Sequence, residues 1–257
     1  MTSTTTPPAA PWSRRDIADA LRESLAELRR DAAELTPEQL SGPSLLPGWS
    51  RGHVLAHLCR NADAVERGLA GAARGEQVAM YPPEHPRDKE IEQGAGRPLD
   101  EQLADLDESA ARLAATAAAM PEEGWSFEVV HRSGARFPAE RLLWMRLAEQ
   151  EYHHVDLDAG YTPAHWPAFF TGREIAHLAE RFHARAGLPP TVLHVLTEGA
   201  PDTEYRIGDG DAGPALRIEG PARALVAWLS GRAAGDGLTA HTPDGARAEL
   251  PAIPAMS

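Results

Sequence analysis

The chain has 257 residues, 42% of them hydrophobic and 25% charged, which suits a globular protein with a sizeable core and not a disordered polymer. Its 38 acidic residues outnumber 25 basic ones, for a formal net charge of -13. A duplex-binding protein needs a cationic surface to displace counterions, so nucleic acid is set aside as a partner. The single cysteine, Cys59, excludes an internal disulfide and any thiolate cluster around a metal. No apolar run approaches the ~20 residues of a membrane span. The opening MTSTTTPPAAP has no basic-then-apolar leader pattern, so 1–12 are expected to be a disordered tail and the protein a cytoplasmic monomer.

Ile17, Leu21, Leu25, Leu28 and Ala32 recur at helical steps and predict a first helix over 13–35, opened by Ser13 and Asp16 in a capping-box pattern. Thr36-Pro37-Glu38 starts a short helical turn. After the loop Leu45-Leu46-Pro47-Gly48-Trp49, Ser50 caps a second helix that carries Val54, His57, Leu58, Asn61 and Val65 on one face. Residues 71–98, rich in Gly and Pro, read as a loop. Leu99, Leu103, Leu106 and Leu113 mark a third helix.

A hairpin is expected over 126–137, turning at Ser133-Gly134. Pro138 begins a fourth long helix through Leu157, and a fifth covers roughly 172–186. From Pro189 the texture changes. Strand-like patterns at 191–196, 204–207 and 215–219 alternate with Gly, Asp and Pro, and one helix follows at 221–230. The expected architecture is therefore α+β: a helical bundle over 13–188 and a small α+β domain over 189–257.

The eleven histidines carry the chemical information. His53 and His57 stand one turn apart, and His57 shares its face with Val54 and Leu58. Taken alone it reads as a core histidine held by a hydrogen bond. On the fourth helix Glu149 and His153 are four apart and share a face. Two helices offering His, Glu and His can assemble a His2Glu site, a set that leaves zinc an open fourth position. Spacing leaves the choice among Glu149, Glu151, His153 and His154 open, and a solvated helix end is the plainer alternative. Asp156, one turn after His153, is either a group orienting a ligand or a helix-end polar residue. Trp49 and Trp144 suit a core or a pocket wall. His177 and His183, six apart, do not share a face, and His131, His165, His194 and His241 show no partner in the sequence.

The stretch LPGWSRGHVLAHLCRNADAVERGLAGAARGE resembles the opening of the mycothiol-dependent maleylpyruvate isomerase family, within the wider DinB-like helical bundles. The resemblance continues through MYPPEHPRDKEIEQGAGRP and LLWMRLAEQEYHHVDLDAGY to the tail IEGPARALVAWLSGR. It implies a DinB-like four-helix bundle followed by a small α+β domain. It also implies a metal held by His57, Glu149 and His153, zinc or another divalent ion. Arg87 matches the family's substrate-facing arginine, and Arg232 matches an arginine that reaches the site from the second domain. One departure stands out: the family's Arg-Glu-Val is Ala148-Glu149-Gln150 here.

The implied reaction is the isomerisation of maleylpyruvate to fumarylpyruvate. Cys59 lies on another face from His57 and reads as a small core residue, so the thiol must come from outside, and the resemblance supplies mycothiol. A metal-held mycothiol thiolate would add to the cis double bond, allow rotation and leave, while Arg87 and Arg232 clamp carboxylate or enolate oxygens. The rival readings are a mycothiol S-transferase, in which the sulfur stays on an electrophile, and a non-catalytic metal- or thiol-binding module.

Overall fold

A computed structural model describes residues 13–82, 86–131, 134–197, 201–209 and 213–254. The expected tail 1–12 and Ser133 of the expected hairpin turn lie outside the described residues. Two compact units are present, divided between Tyr161 and Thr162.

In the first unit α1 (Arg14–Ala33) begins at the Ser13–Asp16 capping box and α2 (Pro37–Ser41) at Thr36. The central helix, α3 (Arg51–Ala73), starts where the Ser50 hydroxyl accepts from the His53 backbone N–H. Most of its faces are buried, with Val54, Leu55, Leu58, Ala62 and Leu69 sealed from solvent. α4 (Arg87–Ala95) and α5 (Leu99–Ala118) follow. A short hairpin pairs β1 (Glu128–Val130) with β2 (Arg136–Pro138), and α6 (Arg141–Asp156) closes the unit. α3 packs on α5 and α6, and α1 packs on α6 and α5, so the four long helices form a ring around one core. Leu28, Val54, Leu55, Leu58, Cys59, Leu106 and Leu157 belong to that core, which confirms Cys59 as a packing residue.

Residues 71–98 are not all loop, because α4 lies within them. Its nine residues bury only Ile91 and Gly94, too few to produce a visible hydrophobic period. The sixth helix starts at Arg141, not Pro138. Pro138 is paired with Glu128 in the hairpin, and the Ala139 and Glu140 N–H groups donate to the carbonyls of Phe127 and Trp125 before the helix opens.

The second unit contains α7 (Ala168–Phe182), β3 (Thr191–Leu196), β4 (Thr203–Ile207), β5 (Leu216–Pro221), α8 (Ala222–Leu229) and β6 (Thr239–His241). Its sheet runs β4-β3-β5-β6, with β3 antiparallel to β4, parallel to β5, and β5 antiparallel to β6. β6, three residues long, left no legible pattern in the sequence. The boundary expected at 188/189 also moves. α7 packs on α8 and β4, and the Gly208 N–H donates to the Phe182 carbonyl, which ties the end of α7 to the end of β4. Pro189-Pro190 marks the entry to β3, not a division between units. No helix among the described residues is long and apolar enough to cross a membrane.

Candidate metal centre

Two of the four long helices supply the site. α3 presents His57, which is 4% exposed, and α6 presents Glu149 and His153 one turn apart. His57 Nε2 lies 2.8 Å from Glu149 Oε2, and His153 Nε2 lies 3.2 Å from the same oxygen. The imidazole rings meet edge to face with centroids 4.4 Å apart. The three potential ligand atoms all lie within 4.8 Å of one another, and among the described residues this is the one such cluster of three or more.

The surroundings fix each group differently. Burial holds the His57 imidazole down to about 4, outweighing the bond to Glu149, so the ring is neutral. Its Nε2–H then donates to Glu149, and its Nδ1 accepts from Arg87 Nη2 at 2.9 Å. Burial would raise the Glu149 carboxyl, but hydrogen bonds from His153 and His57 hold it well below its ordinary value. At His153 burial is opposed by Asp156 and Glu149, and the net effect is upward. His153 Nδ1 lies 2.9 Å from Asp156 Oδ2, so Asp156 orients the ring and leaves Nε2 directed at the cluster.

The ambiguity of the fourth predicted helix is resolved by partners distant in sequence. His154 Nε2 faces Asp31 at 3.0 Å and its ring stacks on Tyr161. Glu151 accepts from the Tyr161 hydroxyl at 2.7 Å. On α3, His53 serves the helix cap through Nδ1 and faces Glu92 through Nε2. None of the three belongs to the cluster. Two imidazoles and a carboxylate converge from two helices, the second imidazole is braced by Asp156, and Glu149 keeps 36% of its side-chain surface accessible. That donor set fits a divalent metal with an open coordination side.

Arg87 arrives from the first turn of α4, with Pro86 before it and Asp88 accepting from its Nη1. Its guanidinium lies 6.0 Å from the Tyr81 ring centroid. A small cavity of about 60 Å³ opens beside the cluster, lined by His57, Glu149 and Arg87 together with Asn61, Met80, Tyr81, His131 and Met145. Trp49 packs on His57 with ring centroids 5.5 Å apart and lies against the bundle core, the first of the two roles its position suggested. Tyr81, Met145 and His131 were not singled out as pocket residues in the sequence, and only Tyr81, beside the Arg87 loop, carried any signal. His194, without a visible partner in the sequence, faces Asp202 at 3.0 Å in the second unit. Arg232 sits just after α8 in the second unit, where its Nη1 donates to the Ser230 carbonyl at 2.7 Å. The structure thus brings Arg87 to the His57–Glu149–His153 cluster and places Arg232 in the other unit.

Residues 21–158, more than half of the chain, match the family described as the mycothiol maleylpyruvate isomerase N-terminal domain. The chain belongs to that family. It is similar to a crystal structure of the mycothiol-dependent maleylpyruvate isomerase at 28% identity and a TM-score of 0.82, covering 95% of this chain and 98% of that one. A histidine-to-alanine mutant of that enzyme matches with the same identity and coverage and a TM-score of 0.81. YfiT from Bacillus subtilis, described as a probable metal-dependent hydrolase with an unusual four-helix bundle topology, matches at 18% identity and a TM-score of 0.51. It covers 59% of this chain and 89% of its own, and shares the fold. No curated protein matches the chain.

Proposed function

We propose that the protein is a mycothiol-dependent, zinc-dependent isomerase that converts maleylpyruvate to fumarylpyruvate. The observation that carries this reading is the convergence of His57, Glu149 and His153 with a guanidinium, Arg87, at the same opening. A divalent metal held by those three side chains would act as a Lewis acid and lower the pKa of a thiol brought to it. The thiol comes from mycothiol, because Cys59 is 1% exposed and burial pushes its thiol up to about 12.

The chemistry asked of the chain is modest and balances without a redox partner. The mycothiol sulfur adds to one carbon of the cis double bond, and the electron pair moves onto the conjugated carbonyl as an enolate. The former double bond rotates. The enolate then collapses, the double bond re-forms in the trans geometry and the sulfur leaves, so the thiol is unchanged. Arg87 supplies positive charge for a substrate carboxylate and for the developing enolate oxygen. Arg232 is proposed as a second cation for the same dianion. Tyr81 walls the opening and limits water.

The test is an absorbance assay with zinc-loaded protein, maleylpyruvate and mycothiol, with a control lacking thiol. Thiol-dependent fumarylpyruvate with mycothiol recovered intact is the expected result. Accumulation of a stable mycothiol adduct would move the assignment to an S-transferase. No turnover despite stoichiometric metal would leave a binding module.

A further inference from the structure

On the α1 and α5 side of the bundle runs a groove of about 380 Å³, walled by those helices and floored by α6. Its volume falls in the range of small-molecule pockets. Leu21, Leu25, Leu113, Leu143 and Trp125 make its lining largely apolar. The charges along it are all of one sign. Arg14, Arg15, Arg22 and Arg146 line it and, among the described residues, no carboxylate does, in a chain whose acids outnumber its bases 38 to 25.

The floor carries an imbalance. Arg146 is 1% exposed, and its Nη1 donates to the Leu58 carbonyl and to Asn61 Oδ1, both at 2.9 Å. Among the described residues its Nη2 has no hydrogen-bond partner, and neither does the buried Oε1 of Gln150 one turn along α6. A buried guanidinium with neutral partners on one nitrogen and none on the other is costly. The amide of Gln150 can present its NH2 instead of its oxygen by a half-turn, so both groups are able to donate to one anion. At the rim Arg14 is held by Glu122 and Arg22 by Asp19, whereas Arg15 makes no ion pair among the described residues.

We propose that this groove is a second binding site, separate from the metal centre, for a small amphipathic carboxylate. The hydrocarbon body occupies the Leu-and-Trp lining, and the carboxylate accepts from Arg146 Nη2 and the Gln150 amide. The occupant differs in kind from a short dicarboxylate, because the lining offers far more apolar surface than such a molecule can use.

Calorimetric titration of the full chain with octanoate, and with octanol as its uncharged counterpart, tests the assignment. Octanoate is expected to bind, with octanol weaker by about tenfold or more, the discrimination a charge-assisted hydrogen bond provides. Ala114 is exposed on α5 and lines the groove, so Ala114→Trp should obstruct it without disturbing the core. That variant should lose octanoate binding while keeping its circular dichroism spectrum. Arg146→Gln should lose the preference for octanoate over octanol. Equal affinity for acid and alcohol, or octanoate binding indifferent to Ala114→Trp, would overturn the proposal, the second by placing the ligand elsewhere. Absence of any octanoate binding would overturn it outright.

Discussion

At the scale of single residues, Arg87 and a metal make opposite demands on His57. As the site stands, Nδ1 accepts from Arg87 and the ring proton sits on Nε2, shared with Glu149. Coordination through Nε2 needs the lone pair there and puts the proton on Nδ1, where it would face the Arg87 N–H. A metal held at Nε2 would therefore displace the guanidinium from His57 and free it for the anionic substrate of the proposed reaction. Arg87→Ala should accordingly bind zinc no more weakly than the parent, because a competing hydrogen bond is gone, while turnover falls by about a hundredfold, as for other lost oxyanion donors. Chelator competition and steady-state rates measure the two effects separately, and a tenfold loss of zinc affinity would show that Arg87 supports the site instead. Asp156→Asn should behave in the reverse way. It replaces the carboxylate that orients His153 with a neutral, weaker acceptor, and metal affinity should drop about 10–100-fold. Cys59 should resist an aromatic disulfide reagent at pH 8 in the native protein and react fully once the chain is unfolded, since the thiolate is both buried and disfavoured.

At the scale of elements, α4 delivers Arg87, and glycines set how closely α4 approaches α3. A Cβ on Gly94 would lie 2.8 Å from the Ala56 Cβ, and one on Gly52 would lie 2.5 Å from the Ala95 carbonyl oxygen. Neither neighbour is the end of a flexible side chain, so the helices must separate. Gly94→Ala is expected to destabilise by about 1–3 kcal/mol, as overpacking does, and to lower turnover by displacing Arg87. Zinc affinity should be unchanged, because α3 and α6 hold the ligands. A variant with full activity would mean that the position of α4 is uncritical. The same element shows where the sequence was opaque. α1, α3, α5 and α6 were legible because long apolar periods announce them, whereas α4 has only Ile91 and Gly94 to bury. The ligand set was half legible for a related reason. Spacing showed that Glu149 and His153 share a face, but what eliminates His154 is Asp31, 123 residues away, and what eliminates His53 is Glu92. Periodicity reports which residues lie together on a helix and says nothing of what that face meets. The resemblance to the family, carried onto His57, Glu149 and His153, supplied the choice that spacing had left open.

For the whole molecule, the change of composition at Pro189 misled because it marks a change of secondary structure, and compact units are defined by packing. α7 is helical like the bundle, yet its apolar face rests on α8 and β4. The candidate metal centre lies entirely in the unit that ends at Tyr161, joining α3 to α6 across 92 residues of chain between His57 and Glu149. In the unfolded chain those side chains are far apart and cannot bind as a set, so a metal held there would bind the native state preferentially and stabilise it by mass action. Free zinc at a hundred times its Kd should add about 2.7 kcal/mol to the stability of that unit. The melting temperature should therefore climb with zinc concentration and fall when a chelator is added. His57→Ala, which removes the ligand contributed by α3 and leaves both on α6, should abolish the dependence on zinc. If the two units melt separately, only the transition of the bundle should move. A zinc-induced shift that persists in His57→Ala would mean that the metal binds elsewhere, and would remove the crosslink between α3 and α6 from the account of stability.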